Sequence, residues 1–164
     1  MNKESKNYKI ILVRHGESEG NIDPTKYMTI PDHKIQLTEK GINQSIQVGK
    51  KIKKIINDDP IDVLVSPYKR TIQTWEGIKA GLDRNNLTLT YDSRIREQEH
   101  KIFQNQEERK EAFQNQKEFS KFFWRFGGGE SGADVDARVI SFLQGLQVHR
   151  RIFEHEHDCL FVAH

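Results

Sequence analysis

Apolar residues in this chain gather into short runs and staggered stripes, separated by long polar stretches. Tyr8 to Arg14 is a nearly continuous apolar run closed by a cation, the pattern of a strand buried on both faces. From Gly20 to Gln36 the chain is polar and rich in Asp, Pro, Thr and His, a loop long enough to line a site. Thr38 then stands where an N-cap belongs, ahead of Ile42, Ile46, Gly49, Ile52 and Ile56 at helical spacing, with lysines opposite and Asn57-Asp58-Asp59-Pro60 as the stop. Ile61 to Ser66 predicts a second strand. Pro67 opens a helix with Ile72, Trp75, Ile78 and Leu82 on one face, and Leu87 to Tyr91 predicts an edge-like third strand.

The second half is more polar. Asn105 to Arg125 is highly charged and free of glycine, yet Phe119, Phe122, Phe123 and Phe126 recur at i, i+3, i+4 and i+7, which predicts an amphipathic helical insertion with an aromatic core face. Ser131 to His149 predicts another helix with Val135, Val139, Phe142, Leu143 and Leu146 inward, and Cys159 to Ala163 a last buried strand. Strands alternating with helices predict an α/β fold, a parallel sheet flanked by helices. At 164 residues the chain is sized for one domain, 1–164, with no internal repeat.

Composition narrows the function more than the fold. Lys plus Arg number 26 against 24 Asp plus Glu, so a net charge of +2 supplies no basic field of the kind nucleic acid requires. Met1 to Asn7 lacks the apolar heart of a signal peptide, and no apolar run approaches the roughly 20 residues of a membrane span, so a cytosolic protein with no membrane partner is expected. The single cysteine, Cys159, sits in an apolar run and reads as an inert buried thiol. His155-Glu156-His157-Asp158 reads as a solvated turn, and no resident metal is expected.

The chemistry concentrates where the first strand ends. Ile10 to Val13 runs into Arg14-His15-Gly16-Glu17-Ser18-Glu19-Gly20-Asn21, and parallel sheets hold ligands beyond the carboxyl ends of their strands. A neutral imidazole there can accept a phosphoryl group. Together with Ser66-Pro67-Tyr68-Lys69-Arg70-Thr71-Ile72-Gln73-Thr74, Arg94-Ile95-Arg96-Glu97-Gln98-Glu99, Phe126-Gly127-Gly128-Gly129-Glu130-Ser131 and Leu160 to His164, this segment resembles the histidine phosphatase superfamily, the phosphoglycerate mutase-like proteins. Five separated motifs in order cover nearly the whole chain.

The resemblance implies phosphoryl transfer through a phosphohistidine, with hydrolysis of a phosphate monoester favoured over mutase chemistry. It implies His15 as nucleophile, Glu97 as acid and base with Glu99 as runner-up, and His164 as a second imidazole donating to the transferring group. Arg14 and Arg70 would clamp the phosphoryl oxygens, with Ser18 and Asn21 also touching phosphate; no cofactor is implied, and the partner is a phosphorylated small molecule. The three glycines before Glu130 lack the Gly-Lys-Ser of a nucleotide loop and read as a hinge, with Ser131 starting a helix.

Two features depart from the family. Lys101 stands where a glycine is usual and places a cation close to Glu97 in sequence, and the family continues past its second histidine into a glycine, a helix and usually a strand that 1–164 does not contain. Both leave open a second reading, a weak or inactive member that binds a phosphorylated ligand or a protein partner.

Overall fold

A computed structural model describes residues 9–56, 60–153 and 158–164 of the chain. Four strands, β1 (Ile10–Arg14), β2 (Ile61–Val65), β3 (Leu87–Tyr91) and β4 (Asp158–Ala163), form one sheet in the order β1-β4-β2-β3. Every pairing is parallel, with β4 in the middle: Arg14 lies opposite Ala163, and Val65 opposite Val162. Parallel neighbours need long crossovers, and these carry the helices. Short helices α1 (Glu19–Ile22) and α2 (Lys26–Thr29) lie in the polar loop after β1; α3 (Glu39–Ile52) and α4 (Lys69–Leu82) flank β2; α5 (Gln106–Phe119) and α6 (Gly132–Phe153) follow β3. The α/β sheet flanked by helices expected from the alternation is the fold observed.

Strand parity divides the core. Val63, Val65, Leu160 and Val162 point to the face covered by α3 and α4, where they meet Ile52, Trp75, Ile78 and Leu82. Leu64, Cys159 and Phe161 point the other way, against Ile95 and Phe142 of α6. Cys159 is fully buried, as its apolar neighbours require. On β1 the inward residues Ile11 and Val13 join the α3–α4 core, while Ile10 and Leu12 are 60% and 75% exposed. Among the described residues the first strand is therefore covered on one face rather than two, while Phe142 and Leu146 of α6 pack over β2 and β4.

Capping follows the sequence closely. The Thr38 hydroxyl accepts from the Gly41 N–H at 3.0 Å and starts α3. The stop Asn57-Asp58-Asp59 lies outside the described residues. Ser131 and Asp134 satisfy one another at the head of α6: Ser131 donates both its N–H and its hydroxyl to Oδ2 of Asp134 (2.7 and 2.6 Å) and accepts from the Asp134 N–H.

The aromatic stripe is corrected. α5 ends at Phe119, and the Ser120 hydroxyl accepts from the N–H groups of Phe122 and Phe123, starting a separate turn in place of more helix. Phe119, Phe122 and Phe123 are consequently exposed, whereas Phe126 is buried among Phe103, Phe113 and His100, with ring centroids 6.2, 5.0 and 4.6 Å away. Leu143, expected inward on α6, is also exposed. No helix among the described residues is long and apolar enough to cross a membrane.

Candidate active site

The carboxyl ends of β1, β2 and β4 bring together residues far apart in sequence. His15 follows β1 directly, and its N–H donates to the Ala163 carbonyl at 3.0 Å, so the ladder is still closed where the imidazole begins. His15 is nearly buried, and its Nδ1 lies 2.7 Å from its neighbour's carbonyl, that of Gly16. A carbonyl only accepts, so Nδ1 carries the proton. Burial, with Arg70 and Arg14 adding to it against the pull of the Gly16 carbonyl, lowers the ring's pKa to about 4. The ring is thus neutral at physiological pH, and Nε2 keeps its lone pair.

The loop bearing His15 is tightly held. The Gly16 N–H donates to the Thr74 hydroxyl, which itself donates to the Arg70 carbonyl within α4. Gly41 of α3 packs so closely on this loop that a Cβ there would stand 2.1 Å from the Glu17 carbonyl oxygen. Glycine is required at that position for α3 to approach the His15 loop this closely.

His164 ends β4 with its ring facing His15, centroids 5.3 Å apart, and against Tyr68 at 5.0 Å. Its Nδ1 accepts from a guanidinium nitrogen of Arg70 at 3.1 Å, so the proton sits on Nε2 and is donated to the Ser66 hydroxyl at 3.0 Å. Burial first, then Arg70, His15 and Arg14, lower its pKa to about 2. His164 was expected to donate to the transferring group; here both nitrogens are engaged by protein, and the ring positions Arg70.

Arg70, at the head of α4, is 1% exposed. One terminal nitrogen donates to the Asp32 carbonyl (2.8 Å) and carboxylate (2.6 Å), the other to His164, and among the described residues its Nε has no hydrogen-bond partner. A buried N–H left unpaired is costly, and a phosphate oxygen would satisfy it. Arg14 closes β1 on the exposed side, and among the described residues its guanidinium has no ion-pair partner. Its charge acts on both imidazoles.

Glu97 and Glu99 separate cleanly. Glu97 lines the cavity beside Arg70, with Oε2 3.7 Å from Nδ1 of His164 and Oε1 accepting the Gln98 N–H at 3.0 Å. Glu99 faces solvent and pairs with Arg96 at 3.1 Å. Lys101 pairs with Glu108 of α5 and lies over the Phe103 ring; it does not pair with Glu97. Ser18 is fully buried, and its N–H and hydroxyl both donate to the Asn21 side-chain oxygen, at 2.9 and 3.0 Å; of the two, Asn21 lines the cavity.

Sequence reasoning missed the scaffold behind Glu97. Glu130, almost buried, accepts from Arg96 (2.6 Å), from two nitrogens of Arg138 (both 3.0 Å) and from the Glu99 N–H (3.0 Å). Burial pushes the Glu130 carboxyl upward, but Arg138 and the Glu99 N–H outweigh it and hold the group below the usual range. Arg138 also donates to the carbonyls of Arg94, Arg96 and Glu97. Of the three glycines before Glu130, Gly129 is tightly packed, since a Cβ there would stand 2.3 Å from the Glu99 carbonyl oxygen, whereas Gly127 and Gly128 lie open, Gly128 at a φ of +79°. Asp32 was missed as well, since a carboxylate in a polar loop carries no signal until the loop folds onto Arg70. His155, Glu156 and His157 lie outside the described residues, and among those described no three candidate ligands gather for a metal.

The two depressed histidines make stability depend on pH. Unfolded, each ring titrates near 6.5, so between that value and the folded pKa the unfolded chain binds more protons, and stability falls as pH falls. The thermal midpoint is expected to drop between pH 7 and about 4, and to drop less in His15→Asn. Equal slopes in the two proteins would show that His15 is not buried neutral.

A buried neutral imidazole and two arginines thus meet at the carboxyl ends of a parallel sheet. The chain belongs to the histidine phosphatase superfamily (branch 1), whose family model matches residues 10–164. It is 43% identical over 145 residues to phosphoglycerate mutase-like protein AT74 of Arabidopsis thaliana, covering 84% of this chain and 46% of that one. With AT74H of the same plant the identity is 41%, covering 84% and 53%, so the chain spans about half the length of these relatives. The broad-range acid phosphatase DET1 of Saccharomyces cerevisiae is 24% identical, covering 91% and 70%. Among solved structures, mycobacterial glucosyl-3-phosphoglycerate phosphatase in its VO3 complex superimposes with a TM-score of 0.73 at 20% identity, covering 96% of this chain and 75% of that one, a likeness of fold.

Proposed function

We propose that the protein hydrolyses phosphate monoesters through a phosphohistidine on His15. The observation that carries this reading is the His15 tautomer: Nδ1–H tied to the Gly16 carbonyl, the ring neutral, and Nε2 free. Nε2 attacks phosphorus while the bond to the leaving oxygen breaks, and Glu97 in its acid form gives that oxygen a proton. Arg14 and Arg70 stabilise the negative charge on the non-bridging oxygens, Arg70 held in place by Asp32 and His164, with Asn21 on the cavity wall. Glu97, now a carboxylate, takes a proton from water as that water attacks the phosphohistidine, releasing phosphate and the free imidazole.

Hydrolysis is favoured over transfer to a second substrate because Glu97 faces an open cavity and a broad-range acid phosphatase stands among the relatives. Lys101, which on sequence grounds supported a non-catalytic binder, is occupied by Glu108. The test compares Glu97→Gln on an alkyl phosphate, whose leaving group needs protonation, and on an activated aryl phosphate, which needs little. Hydrolysis of the alkyl ester is expected to fall about a hundredfold and that of the aryl ester far less. Equal losses on both would make Glu97 structural, and absence of any hydrolysis or acid-labile phosphate in the wild type would overturn the reading.

A further inference from the structure

The cavity beside Arg70 and Glu97 extends well past the phosphate-binding residues, about 500 Å³ in all, and its far wall holds a cation that phosphoryl transfer does not use. Arg109, on the second turn of α5, lies with its guanidinium carbon 4.8 Å from the Phe113 ring centroid and 5.9 Å from that of Tyr27 on α2. It therefore bridges the two elements that wall the cavity. It is half-buried, and among the described residues its guanidinium has no hydrogen-bond or ion-pair partner.

The other cations of the lining are committed, Arg70 to Asp32 and His164, and Lys101 to Glu108. Arg109 acts electrostatically on Tyr27 and His100 and lines the same cavity as Arg70 and Glu97. The lining also includes the apolar side chains of Met28, Ile30 and Phe103.

Resting on the phosphatase reading, we propose that Arg109 is a specificity residue that binds a second anionic group on the substrate. The substrate class is then a small phosphate monoester whose leaving group is a ring or short apolar spacer ending in a carboxylate or a second phosphate. A guanidinium held over two aromatic rings is already partly oriented, so its planar fork meets such an anion with a reduced ordering cost. The cavity falls in the size range of small-ligand pockets, with apolar walls and few polar groups to fix orientation.

Non-hydrolysable probes separate binding from turnover. By calorimetry, wild type is expected to bind 4-carboxybenzylphosphonate at least about tenfold more tightly than its neutral carboxamide, the scale of one charge-assisted hydrogen bond. Arg109→Gln is expected to erase that preference and Arg109→Lys to restore part of it. A bisphosphonate with the same spacer binding more tightly still would assign the second group as phosphate, and weaker binding would assign it as carboxylate. Equal binding of acid and amide by wild type, or a preference that survives in Arg109→Gln, would overturn the inference while the phosphate site stands. A preference in a protein that never forms phosphohistidine from the corresponding esters would keep the anion subsite and sink the hydrolytic reading. Failure of wild type to bind either phosphonate would overturn both.

Discussion

His15→Ala is expected to leave no acid-labile phosphate on the protein after mixing with a labelled aryl phosphate, and to lower hydrolysis at least about a thousandfold. The expectation follows from how the ring is held. Its N–H is fixed by the β1–β4 ladder, its Nδ1 proton by the Gly16 carbonyl, and its charge state by burial. The imidazole that faces it offers no equivalent nitrogen, because both nitrogens of His164 are engaged by Arg70 and Ser66. His15→Asn keeps the site polar and separates loss of the nucleophile from collapse of the pocket. Hydrolysis at the parental rate in either variant, measured by phosphate release, would place the nucleophile elsewhere.

Glu130→Ala is expected to destabilise the protein by about 3 kcal/mol, because it strands two guanidinium groups and an N–H that now share one nearly buried carboxylate. For a chain of this size that corresponds to a thermal midpoint lowered by roughly 6–12 °C. Activity should fall further than unfolding explains. Arg138, once without Glu130, no longer fixes the carbonyls of Arg94, Arg96 and Glu97, and the Glu97 carboxyl loses its position over the cavity. Glu130→Gln keeps an acceptor oxygen and should lose less on both counts. A midpoint within 2 °C of wild type in Glu130→Ala would show that the arginines find other partners or water.

Much of the site was legible because its signals are local. An apolar run ending in Arg14-His15-Gly16 carries the same meaning in sequence and in space, since a strand leads directly to its own carboxyl end. Thr38 and Ser131 announced their helices by the same locality. Glu97 was put ahead of Glu99 by the resemblance alone: two residues apart, they are separated in space by which one the Glu130 and Arg138 network turns toward the cavity. The phenylalanine stripe misled because periodicity continued through Ser120, where a side chain's hydrogen bonds to the following N–H groups ended the helix.

The sequence by itself determined the elements, their alternation and hence the parallel sheet, the strand ends that carry His15 and His164, and the family to which those motifs belong. These depend on periodicity and capping, which act over a few residues. Tertiary structure alone decided that Asp32 grips Arg70, that His164 accepts from Arg70 and donates to Ser66, that Lys101 turns to Glu108, and that Arg109 meets the Tyr27 ring. Each of those is a contact between segments brought together by folding, except the Lys101 pairing, which depends on how α5 packs. Which partner a charge finds is set by distances of a few ångströms that no sequence interval encodes.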